Sequence, residues 1–127
     1  MSQDEIKLKK KVREWMAFAA GLQIREAVAI PIVPDFRFAR AARRIEAELA
    51  PAREKQNELI KKHGTEKDGQ RTIRPGDAGW SAYLEAVTPL LDEELEITVP
   101  TVRLKSLDGV SLPGGMLGLV FDVIVEE

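Results

Sequence analysis

The sequence predicts an α+β fold whose body is a long antiparallel helical hairpin, and three observations carry that prediction. Phe38, Ala42, Ile45, Leu49, Ala52, Gln56 and Leu59 recur in steps of four and three, the spacing of a helix packed lengthwise on another helix. Trp80, Leu84, Val87 and Leu91 form a second ladder after a turn-rich gap. Residues 5–9 and 95–99 instead alternate polar and apolar, the period of strands with one buried face. The hairpin arms are expected at about residues 35–62 and 77–93. A short N-terminal helix should pack on them, with a small sheet from residues 5–9, 95–105 and, in one reading of the tail, 119–125. At 127 residues the chain has room for one core, so a single domain over 1–127 is expected.

In chain order, the first strand gives way to a helix from about Lys10 to Gln23, with Val12, Trp15, Ala19 and Leu22 along one face. Gly21 weakens its end by about 1 kcal/mol relative to Ala. The stretch from Ile24 to Ile30 fits a continuation of that helix or an exit from it. Ile30-Pro31-Ile32-Val33-Pro34 is expected to be extended, because residues before proline are pushed out of the α region. Asp35 then reads as the N-cap of the long helix. Pro51 lies inside that helix, and the ladder keeps its phase on both sides, which predicts a kink without a break. Lys61, Lys62 and His63 complement the dipole of the last turn, and Gly64 reads as the residue that ends it.

Asp68-Gly69 is a strong turn signal and predicts a small β-hairpin that continues into Gln70–Arg74. Asp77 reads as the cap of the second arm. Leu95, Ile97 and Val99 make a strand that Pro100 interrupts, with Val102 and Leu104 continuing it at an edge or past a bulge. The tail stays open. Ser111-Leu112-Pro113 can start a helix, Gly114, Gly115 and Gly118 oppose one, and residues 119–125 favour strand by composition.

Charged residues reach 31 % and the net charge is −2, a balance that argues against a dedicated, sequence-specific nucleic-acid binder. Cations gather at Lys7, Lys9, Lys10, Lys11 and Arg13, and acids at Asp92, Glu93, Glu94 and Glu96. The chain has no cysteine, which removes disulfides, thiolate catalysis and cysteine-based zinc sites. His63 is the sole histidine, so no His-based metal cluster can form, and its place in the last turn of the helix is accounted for by the dipole. No cofactor is implied. No apolar run approaches the ~20 residues of a membrane span, and the opening residues lack a signal peptide's pattern. The cytoplasm is the expected compartment.

One constellation points to chemistry. Arg37, Arg40, Arg43 and Arg44 line the start of the long helix beside its apolar seam, where guanidinium forks can clamp phosphates or carboxylates. The blander reading of the same four is a solvated stripe paired with Glu46, Glu48 and acids of a neighbouring helix. Lys7, Lys9 and Lys11 read as edge-strand charges that block unwanted pairing.

The segments "EIKLKKKVREWMAFAAGL", "RFARAARRIEAELAPAREKQNELIKKHGTEKDG" and "LLDEELEITVPTVRLKSL" resemble a family of small bacteriophage and prophage proteins of unassigned biochemical function. Those proteins pair a strand-then-helix opening with a long Glu/Lys-rich helix ending in LI-K-(Y/H)-G-x-K-D. An acidic second helix and EVEI and I-x-L-S-D-L strand segments follow. The likeness spans about residues 5–107. Pro51, the arginine content and the glycine-bearing, β-rich tail depart from it, and the likeness itself implies a helical turn after Ser111.

The resemblance and the missing constellations together imply a non-enzymatic, phage-type homo-oligomeric helical module, an assembly accessory or adaptor for a phage or host protein. The alternative is an anti-defence protein that sequesters a small anionic nucleotide signal through the arginines, or that inhibits a host defence protein through the acidic segment at 92–96.

Overall fold

The alternation that opens the chain forms β1 (Glu5–Lys11) in a computed structural model, which describes residues 4–112, 114, 116, 118 and 121–125. β1 pairs antiparallel with β4 (Glu94–Pro100), in a register that sets Leu8 opposite Ile97 and Lys9 opposite Glu96. One face of this ribbon, with Ile97 and Val99, is buried, while Lys7, Lys9 and Lys11 point outward. A two-stranded ribbon cannot stand alone in water. Its apolar face is covered by two helices.

α1 (Val12–Gln23) follows β1 without a loop. Its entry is held by the Glu14 carboxylate, which accepts the Lys11 N–H at 2.9 Å, and by the Val12 N–H donating to Glu93 O at 2.8 Å. Val12, Trp15, Ala19 and Leu22 are all buried, as the three-four-three spacing predicts, and Phe18 joins them. The Trp15 indole N–H donates to Leu95 O at 2.7 Å, so the largest core side chain also fastens α1 to β4. Ile24–Ala27 leave the helix as a single 3-10 turn.

α2 (Ile32–His63) begins three residues before the expected start. Pro31 occupies the cap, and the Asp35 N–H makes the first helical bond to Pro31 O at 3.1 Å. Pro34 is tolerated because first-turn N–H groups have no intrahelical partner to lose. Ile32 and Val33 are therefore helical and not extended. Asp35 does not cap: its Oδ1 accepts Arg25 Nη1 at 3.1 Å. The helix spans ~48 Å and continues through Pro51. Phe38, Ala41, Ile45, Leu49 and Ala52 are buried, with Ala41 in place of Ala42 at the centre of the seam.

Gly64 ends α2 with φ of −76°, so it is needed for space and not for a left-handed turn. A Cβ there would lie 2.4 Å from Ile60 O. β2 (Thr65–Lys67) and β3 (Gln70–Thr72) then form the small hairpin, turning through Asp68 and Gly69 with φ of 53° and 78°. Positive φ at both central residues is what Asp-Gly turns supply.

α3 (Trp80–Leu91) is shorter than expected at both ends. Asp77 does not cap it, and instead its Oδ2 accepts the Arg74 N–H at 2.9 Å. The start of α3 abuts the end of α2 so closely that a Cβ on Gly79 would fall 2.0 Å from His63 O. Gln56 Nε2 reaches the Tyr83 hydroxyl at 3.3 Å, so the arms run antiparallel, as the expected hairpin requires. The buried seam of α3 is Tyr83 and Val87, whereas Leu84 is 40 % exposed and Trp80 is half-buried against the Tyr83 ring.

After Pro100 the chain steps into β5 (Val102–Arg103) and a 3-10 turn at Leu104–Leu107. Both tail alternatives contribute. Gly114, Met116 and Gly118 are helical, Phe121–Val123 make a 3-10 turn, and β6 (Ile124–Val125) pairs parallel with β5. Met116 and Val123 are fully buried. The expectations for Pro113, Gly115, Leu117, Leu119 and Val120 lie outside the described residues. Lys10, on the core side of β1, reaches Asp122 at 2.6 Å and ties the tail to the first strand.

Candidate functional site

The four arginines separate. At 100° per residue, Arg37 and Arg44 point within about 20° of each other, while Arg40 and Arg43 turn progressively outward. Arg37 donates from Nε to Thr101 O and from Nη2 to Asp4 O, the latter at 2.6 Å. Arg44 donates from Nη1 to Thr98 O at 3.0 Å and pairs with Glu5 at 3.3 Å. Both are half-buried and stitch α2 to the end of the β1–β4 ribbon, so their forks are occupied by this chain's own oxygens.

Arg40 and Arg43 are exposed. Arg40 lies over the Phe36 ring at 6.0 Å from its centroid, and with Ala39 and Arg43 these residues line a shallow cleft of about 130 Å³. Among the described residues Arg43 has no hydrogen-bond or ion-pair partner. The expected anion site thus contracts from four arginines to two.

The cations of residues 7–13 meet the acids of residues 92–96. Lys7 approaches Glu96 at 3.8 Å, Lys9 approaches Glu94 at 4.0 Å, and Arg13 binds Asp92 at 2.7 Å. Opposite charges facing one another across a strand pair support the register. Glu46 pairs with Arg53 at 2.9 Å, also within α2.

What the arginine reading overlooked is an apolar face. Ile32 is 84 % exposed, Val33 64 % and Phe36 60 %, clustered on the first two turns of α2. Their outward direction continues down the helix through Arg43, Ala47, Ala50 and Glu54, all exposed. The signal was present as a second four-three repeat, Ile32, Phe36, Ala39, Arg43, Ala47, Ala50, Glu54. The larger side chains of the buried ladder mask it.

Near the far end of the same helix, Asn57, Ile60, Lys61, Gly69 and Arg71 surround an open hollow of about 640 Å³ between α2 and the β2–β3 turn. Arg71 Nη1 donates to Lys61 O at 2.9 Å, which fixes the small hairpin against the helix end. Among the described residues, no helix is long and apolar enough to cross a membrane, and no group of three or more His, Asp or Glu side chains is placed to hold a metal ion.

No protein-family model, no curated protein and no solved structure matches this chain.

Proposed function

We propose that this chain is a non-catalytic, self-associating helical module that serves as an assembly accessory or adaptor. Its setting is phage or prophage biology in the cytoplasm of a host cell. The observation that carries the reading is the exposed group Ile32, Val33 and Phe36 at the head of a helix whose outward face is uncovered along its length. Contiguous exposed apolar side chains rimmed by charge mark interaction surfaces. The resemblance to small phage and prophage proteins supplies the setting.

A second reading rests on the Phe36–Arg40–Arg43 cleft, where an aromatic face and two guanidinium groups would suit a small anionic nucleotide. The acidic segment lends no comparable support to capture of a host protein, because Asp92, Glu94 and Glu96 already face cations of this chain. Native mass spectrometry of the untagged protein, purified in low salt, separates the readings. A discrete oligomer without added mass is the expected result. A stoichiometric small-molecule adduct that Arg40→Ala with Arg43→Ala abolishes would replace it with ligand capture.

A further inference from the structure

We propose that the outward face of α2 is covered by α2 of a second copy of this chain, running antiparallel about a two-fold axis that passes between residues 48 and 49. The inference deepens the self-association reading above and rests on it.

The charge order along the face selects the direction. Its first half carries Arg40 and Arg43, and its second half carries Glu54 and Glu58 before Lys61 closes it, Glu58 being approached by Lys55 of its own chain at 3.4 Å. A parallel pair would stack like charge on like charge, whereas an antiparallel pair sets each basic half against an acidic one. Among the described residues neither the Arg43 nor the Glu54 side chain has a hydrogen bond or ion pair within its own chain. Each is therefore free to take the other across the axis.

One register satisfies the rest of the face. Setting Arg43 opposite the partner's Glu54 sets Ala47 opposite the partner's Ala50, because facing residue numbers keep a constant sum in an antiparallel pair. Two alanines at the axis let the helices approach to about 8 Å, the near end of helix packing distances. Arg40 then falls opposite Asn57 of the partner subunit and within reach of the partner's Glu58. Phe36 falls opposite the partner's Lys61, at the mouth of the hollow lined by Asn57, Ile60, Lys61, Gly69 and Arg71. The exposed aromatic side chain of the face thus meets the residues that line an open hollow of about 640 Å³. The two-fold repeats the match at the other end, as a self-complementary interface must.

Charge reversal and cross-linking test the register together. Arg43→Glu or Glu54→Arg alone should raise the dimer dissociation constant at least about tenfold in sedimentation equilibrium, since two symmetric attractions become repulsions. The double variant Arg43→Glu/Glu54→Arg, and an equimolar mixture of the two single variants, should return to near the wild-type value. Because the chain has no cysteine, a mixture of Ala47→Cys and Ala50→Cys proteins should form a disulfide-linked dimer ahead of either alone. A wild-type protein that stays monomeric at micromolar concentration overturns both the pairing and the self-association reading. A wild-type oligomer that ignores the charge reversals and does not cross-link overturns the pairing alone and places the contact elsewhere.

Discussion

Replacing Arg37 distinguishes a structural clamp from an anion site, because the two roles predict opposite readouts. Its Nε serves the carbonyl of Thr101, a residue only 3 % exposed, and its Nη2 serves the carbonyl of Asp4 in an exposed position. A hydrogen bond to a charged group contributes about 1.5–3 kcal/mol when its partner would otherwise be left buried. The Asp4 bond contributes less than about 1 kcal/mol, since water replaces it readily. Arg37→Ala should therefore cost about 2–4 kcal/mol, a large share of the ~5–15 kcal/mol that holds an ordinary domain together. With a urea slope of about 1–3 kcal/mol/M, the unfolding midpoint should fall by about 1–2 M. Arg37→Lys keeps the charge but not the fork, and should recover about half of the loss. Phosphate is the control: an anion site at Arg37 predicts that added phosphate raises the wild-type midpoint and leaves the variant's unchanged. An unfolding free energy for Arg37→Ala within about 0.5 kcal/mol of wild type would refute the clamp.

Three further outcomes follow from the packing. Trp15→Phe removes the donor to Leu95 O and should cost about 1–3 kcal/mol in chemical denaturation. The remaining half-buried Trp80 should give a red-shifted native fluorescence, and an unshifted spectrum would contradict the burial of Trp15. Gly79→Ala forces a Cβ to within 2.0 Å of His63 O. It should destabilise by about 1–3 kcal/mol, and hydrogen exchange should quicken where α3 leaves the hairpin; unchanged protection there would mean that the arms are farther apart. Lys7→Ala removes an exposed ion pair to Glu96 at 3.8 Å, so thermal unfolding should register less than about 1 kcal/mol, and a larger loss would show that the outer face of the ribbon is not open to solvent.

How far the sequence could be read depends on the range of the forces involved. The helical ladder, the period-two strands and the Asp68-Gly69 turn express steric and hydrophobic rules that act within a few residues, and each lies where its pattern puts it. Caps were less legible. Asp35 and Asp77 both look like N-caps, yet each carboxylate found a different donor, Arg25 in one case and the Arg74 N–H in the other. A side chain with several nearby donors is settled by the closest approach in three dimensions. The arginine stripe divides for the same reason: spacing along a helix gives direction, not what stands in that direction. Arg37 and Arg44 face the carbonyls of Thr101 and Thr98, more than fifty residues away.

The sequence by itself determined the α+β class, the long helix, the hairpin tip and most of the buried seam, because periodicity and turn chemistry are local. Tertiary structure alone decided that the lysines of the opening meet the acids at 92–96, that the tail closes the core through Met116 and Val123, and that of the four arginines Arg40 and Arg43 are the exposed pair. Those are contacts between distant parts of the chain, selected by which surfaces remain to be buried once the local elements have formed.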